Sequence, residues 1–180
     1  MNFAGIDPGY TGHVVVISDA RRIILHRPTP ILGATSKPED FDAGGFRAIL
    51  LEARSLSPSG ILVGLESPGA VTRVPFVDKA GQRKTRAIHA TALRECVRLW
   101  QGTLVGLAIP YELLVPKNWQ RVMHADTSPD LAAHDRSVVA CERLFPDLVL
   151  RHGRRRNPDH DLAQAALLAD LMRRRHGGAA

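Results

Sequence analysis

Residues 5–16 read "GIDPGYTGHVVV". An apolar run from Asn2 stops at Asp7, because Pro8 lacks a backbone donor and Gly9 favours a turn. A second apolar run begins at His13. Two strands with a short connection are therefore expected, Asn2–Ile6 and His13–Ser18. A third, Arg21–Arg27, follows the pair Asp19-Ala20, a length suited to a tight hairpin. All three pair antiparallel. An Asp before Pro-Gly is ordinary turn chemistry, so Asp7 taken alone decides nothing. Glu66 changes that reading. It ends "ILVGLE", a run apolar on both faces as a buried parallel strand is, and it too is followed by a break, "SPG". Two acids at the ends of neighbouring buried strands would lie close together, and crowded carboxylates repel. Something positive is expected between them.

Outward from these strands, "EDFDAGGFRAILLEARSL" (39–56) spaces Phe41, Phe46, Ile49, Leu50 and Ala53 as a helix does, with Gly44 and Gly45 weakening its first turn. A second helix is expected over 85–101, a fifth strand over "TLVGLAIP" (103–110), a third helix over 128–145, and a final Ala/Leu-rich helix over 161–175. The result is an α/β fold with a five-stranded mixed sheet, three strands antiparallel and two parallel, flanked by helices. No internal repeat divides the chain. Residues 1–176 are expected to form one domain, with 177–180 a frayed tail.

The chain has 180 residues, is 44% hydrophobic, and carries a formal charge of +6 with a pI near 10.0. That length buries one sizeable core. The charge suits a polyanionic partner, and it also fits a protein that is merely soluble and self-repelling. Cys96 and Cys141 lie in apolar, helix-like stretches and are expected as buried thiols, neither a disulfide nor a metal site. No segment approaches the ~18 apolar residues of a membrane span and no leader pattern is present, so a cytoplasmic location is expected. The stretch 67–86, "SPGAVTRVPFVDKAGQRKTR", reads as a long loop bearing Arg73, Lys79, Arg83, Lys84 and Arg86 against Asp78 alone. Long loops in compact domains are more often functional than accidental.

The third candidate acid lies in "PDHDLAQAALLADL". Asp159, His160 and Asp161 precede the last helix, where an Asp can cap free backbone N–H groups or point into a site. Gln164, three residues after Asp161, shares its helix face. Three hard oxygen ligands from distant parts of the chain suit magnesium or manganese over zinc.

Taken in order, "GIDPGYTG", "GLESPGA", "VPKNWQ", "RLFP" and "HDLAQAALLA" resemble the RuvC-like Holliday-junction resolvases of the ribonuclease-H fold, from about residue 3 to 172. The small size and the "VPKNWQ" stretch point to a phage or prophage type. The resemblance implies a homodimeric, magnesium-dependent endonuclease, with manganese able to substitute, that acts on branched DNA and leaves 5′-phosphate ends. Asp7, Glu66 and Asp161 would be its catalytic metal ligands. The family's second acid on the last helix falls on Gln164, a neutral amide, so Asp159 or His160 would substitute or the second metal would bind weakly. A branched-DNA-binding protein that keeps the fold with weakened catalysis is the alternative this departure raises. Arg136 matches a basic position near the scissile phosphate, and Lys117 and Arg121 flank Trp119 in a basic segment. Trp119 itself reads as a core anchor. Phosphate contacts are expected from residues 73–86 and from Arg154, Arg155 and Arg156.

Overall fold

The computed structural model describes residues 1–33, 40–67, 74–77, 83–86, 90–151 and 157–178. Three strands open the chain, β1 (Asn2–Asp7), β2 (His13–Ser18) and β3 (Ile23–Pro28). After helix α1 (Ala43–Ser55) come β4 (Ile61–Glu66) and the short pair β5 (Val74–Val77) and β6 (Arg83–Arg86). Helix α2 (Ala90–Gly106), β7 (Tyr111–Leu114) and helices α3 (Pro116–Met123), α4 (Ala133–Leu144) and α5 (His160–His176) complete it. The main sheet has the order β3-β2-β1-β4-β7. β1 pairs antiparallel with β2, and β4 runs parallel to both β1 and β7. Among the described residues no helix is long and apolar enough to cross a membrane.

Strand periodicity sends alternate residues to opposite faces, and the core divides accordingly. Ala4, Ile6, Val14 and Val16 pack with Phe46 and Leu50 of α1 and with Cys96, Trp100 and Leu104 of α2. Phe3, Val15 and Ile17 pack on the other face with α3, α4 and α5. Both cysteines are buried and unbridged.

Helix α5 lies directly on the sheet because glycines make room for it. Gly5 of β1 pairs in register with Gly64 of β4. A Cβ on Gly5 would stand 2.0 Å from the Ala165 carbonyl oxygen and 2.5 Å from the Ala169 nitrogen, and one on Gly64 would stand 2.7 Å from Met172 Cγ. Small residues on both sides thus set the depth of the helix, and its register on the sheet fixes what its first turn faces.

Three expectations are corrected. Residues 103–106 are not a strand; they continue α2, because Cys96, Trp100 and Leu104 keep a four-residue helical spacing into the buried face while Val105 is exposed. The helix ends where Ala108 takes φ 52°, with Ile109 N donating to Leu104 O and Ala108 N to Val105 O, a Schellman closure without its usual glycine. The fifth strand falls on Tyr111–Leu114 instead. Within 67–86, β5 and β6 pair antiparallel with Val74 opposite Arg86 and Val77 opposite Arg83, so the stretch is not all loop and residues 85–86 do not begin α2. Third, α3 is a helix where the sequence showed only a basic motif. It starts with Pro116 in the first turn, where a missing N–H costs nothing.

Candidate active site

Asp7 follows Phe3 and Gly5 on one face of β1, and Glu66 follows Leu62 and Gly64 on the same face of β4. That is the face α5 covers. Two residues beyond Gly5 along the strand is about 6.7 Å, and one turn back from Ala165 along the helix is about 6 Å. Asp7 and Asp161 are thereby brought to the same end of the sheet. The turn after Asp7 answers for its direction. Gly9 has φ 144°, and a Cβ on Gly12 would lie 2.1 Å from the Asp7 carbonyl oxygen, so both positions need glycine.

The electrostatics register the convergence. Burial pushes the Asp7 carboxyl well above its ordinary range, and the negative charges of Glu66, Asp161 and Asp159 push it further. Burial also raises Glu66, opposed by hydrogen bonds it accepts from Trp119 and Asp7. Both carboxyls are therefore held above their ordinary range by burial, Asp7 further by the acids around it. Among the described residues no three His, Cys, Asp or Glu side chains stand as a ready-made ligand set. The site is a buried carboxyl pair with a third carboxylate in Coulombic reach. That donor chemistry fits a hard divalent cation, which favours carboxylate oxygens and would relieve the repulsion among the crowded acids.

Capping and site-facing roles, both open for Asp161, are divided between neighbours. Asp159 is the N-cap of α5, accepting from Leu162 N at 3.0 Å, and its other oxygen lies 3.8 Å from His13 Nε2. Asp161, in the first turn, is left to face Asp7, with His160 Nε2 3.0 Å from its Oδ1. His160 is half exposed and its ring lies 5.6 Å from that of His134 on α4. Gln164 is half-buried on the same helix face.

Two cavities stand out, of which the second is lined by Asp159 and Asp161. One, of about 480 Å³ between α3 and α4, is lined by Lys117, Gln120, Arg121, His124, Ala133 and Arg136. Lys117 and Arg121 are exposed one turn apart, and among the described residues neither makes a hydrogen bond or ion pair. The other, of about 950 Å³, includes Tyr10, His13, His26, Ile31, Asp159 and Asp161. Arg83, Lys84 and Arg86 lie on β6. Arg73, Lys79, Arg154, Arg155 and Arg156 lie outside the described residues.

Trp119 is the residue whose part the sequence understated. It is fully buried, as a core anchor should be, yet its indole Nε1 donates to Glu66 Oε1 at 3.0 Å. A buried indole N–H requires an acceptor, but only the fold shows that the acceptor is a site carboxylate.

The sequence matches no family model and no curated protein at a significant level. Solved structures do match. A Thermus thermophilus RuvC bound to a Holliday junction superposes with TM-score 0.58 at 15% identity, covering 98% of this chain and 96% of that one. A second Thermus thermophilus RuvC structure gives 0.59 at 14% identity over 97% and 96% of the two chains. The yeast mitochondrial Holliday junction resolvase Ydc2 gives 0.53 at 14% identity, covering 96% of this chain and 77% of that one. With the sheet order β3-β2-β1-β4-β7 and helices on both faces, the chain has the RuvC-like form of the ribonuclease-H fold.

Proposed function

We propose that this protein is a divalent-metal-dependent, structure-selective DNA endonuclease that resolves four-way or other branched junctions by phosphodiester hydrolysis, with residues 1–176 acting as one nuclease domain in a homodimer. The observation that carries this reading is the meeting of Asp7, Glu66 and Asp161, from β1, β4 and α5, at one end of the sheet, where burial and like charge raise the Asp7 carboxyl. The fold shared with proteins that act on Holliday junctions supports the substrate class.

Asp7, Glu66 and Asp161 would hold magnesium, or manganese in its place, with Asp159, His160 or the Gln164 amide completing the set. Held by these residues, such an ion would supply Lewis-acid chemistry, activating a water and offsetting charge on the leaving oxygen. The remaining work belongs to the chain. Asp7 and Glu66 present buried carboxyl oxygens, Trp119 holds one Glu66 oxygen, and Lys117 and Arg121 bind phosphates from the α3–α4 cavity. Arg73, Lys79, Arg83, Lys84, Arg86 and Arg154 to Arg156 grip the junction arms, so affinity falls steeply with salt.

Labelled four-way junction, flap, duplex and RNA–DNA hybrid, each incubated with and without magnesium, test the reading. Paired nicks in the junction that need magnesium and vanish in Asp7→Asn are expected. The second reading, a junction-binding protein with weakened catalysis, is favoured by Gln164, a neutral side chain on the site-facing part of α5. It prevails if the wild type binds junctions and leaves them intact across magnesium and manganese concentrations.

A further inference from the structure

We propose that Trp119 and Arg136 are positioning residues for Glu66, joined through the α3–α4 connection; the inference rests on the nuclease reading and deepens it. Arg136 matches a basic position expected near the scissile phosphate and lines the α3–α4 cavity beside Lys117 and Arg121, yet two of its three guanidinium nitrogens are committed to acceptors within the protein. Its Nε donates to Thr127 Oγ1 and its Nη2 to the His124 carbonyl oxygen, each at 2.9 Å, and the Thr127 hydroxyl donates to that same carbonyl at 2.8 Å. The connection is buried at His124 and Thr127. His124 Nε2 bonds Ser137 Oγ at 2.9 Å, and its ring meets the Trp119 indole edge-on with centroids 5.5 Å apart. Trp119 then reaches Glu66. A continuous run of packed and hydrogen-bonded groups thus leads from the arginine to one carboxylate oxygen.

A phosphate contact needs the charge of residue 136, whereas a brace needs the planar fork. Lysine keeps the first and cannot reproduce the second. Partners of this kind orient metal-binding carboxylates, and their loss typically costs about 10–100-fold in metal affinity or activity.

The full chain and four variants, Trp119→Phe, Arg136→Lys, Arg136→Gln and Thr127→Val, are compared by calorimetric Mn²⁺ affinity, by the salt dependence of four-way-junction binding, and by cleavage rate at saturating Mn²⁺. Trp119→Phe should weaken Mn²⁺ binding about tenfold or more with junction affinity unchanged. Arg136→Lys, Arg136→Gln and Thr127→Val should lose rate together, about tenfold, without changing the salt slope. Arg136→Lys at the wild-type rate, with Arg136→Gln lowering the slope by about one phosphate contact, would overturn the brace. Wild-type Mn²⁺ affinity in Trp119→Phe would overturn the part given to Trp119. Should Arg136→Gln fail to fold, Thr127→Val decides the same point with the charge left in place. A wild type that cleaves nothing defeats the nuclease reading, and the Mn²⁺ affinities then still judge Trp119 while the salt slopes judge Arg136.

Discussion

Asp7 and Asp170 are both buried, on two elements packed against each other, and their surroundings are opposite. Asp170 lies in the second half of α5 and is wholly inaccessible. Arg173 and Arg174 each donate to it at 2.8 Å from one turn further along the helix, and Arg21 at 3.2 Å from the β2–β3 turn. Arg21 has φ 59°, an uncommon conformation for a side-chain-bearing residue, in a turn closed by its N–H on the Ser18 carbonyl oxygen. Asp7, at the other end of the same sheet–helix contact, has Glu66, Asp161 and Asp159 around it. A chain with 24 Lys and Arg residues against 18 acids does not lack cations to place beside Asp7. Burying a charge without a partner is expensive, so an acid left among acids is a poor stabiliser of the fold and a good receiver of a cation from outside.

Swapping each acid for its amide should separate the two roles. Asp7→Asn removes a ligand worth several kcal/mol of transition-state stabilisation, so junction cleavage should fall roughly a thousand-fold while junction binding and folding persist. Equal cleavage by the variant and the wild type breaks the comparison at once. Asp170→Asn should do the reverse, sparing the cleavage rate at low temperature and costing about 2–3 kcal/mol in denaturant unfolding. That cost falls short of the largest buried-pair losses because the three arginines are partly exposed and can turn to water.

A pH series sharpens the contrast without mutation. Because the folded-state pKa of Asp7 is raised, the stability of the protonated pair is complete below the unfolded carboxyl value of about 4 and is lost as pH climbs through the raised one. The cation-free protein should therefore melt at progressively lower temperature over that rise. Magnesium should flatten the upper part of the curve, since a cation offsets the like charge that deprotonation creates there. A cation-free melting temperature that holds level through the range would show that Asp7 and Glu66 are not strained by each other. The smallest effect is expected from Gln164→Asp, which adds a charge to the site and should tighten Mn²⁺ binding about tenfold, or ~1.4 kcal/mol. Calorimetry would show it, and weaker binding would mean that residue 164 stands apart from the acids.

The legible parts of this fold are those in which chain punctuation and burial agree. β1, β2 and β4 end at turn residues and alternate or fill as strands do, and α1 keeps helical spacing. Asp7 and Glu66 stood out because a charged residue closing an apolar run is costly unless it is used. What escaped were elements with conflicting local signals. Thr103 to Ile109 is apolar enough for a strand, yet Leu104 extends the buried stripe of α2. Tyr111–Leu114 is only four residues long and carries a glutamate. α3 is eight residues long, below the length at which a helix is stable by itself, so it exists through Trp119 and Met123 buried beneath it.

By itself, the sequence determined where acids end strands, which segments are apolar with period two or near four, and that the chain is strongly basic, because these depend on neighbours along the chain. Only the tertiary structure decided that Asp159 caps α5 and leaves Asp161 to face Asp7. It alone placed the Trp119 indole on Glu66, bonded Arg136 to Thr127 and His124, and set one buried aspartate among arginines and the other among acids. Those outcomes depend on the depth at which α5 sits on Gly5 and Gly64, a distance set by packing between residues some 160 and 110 positions apart, which no local pattern encodes.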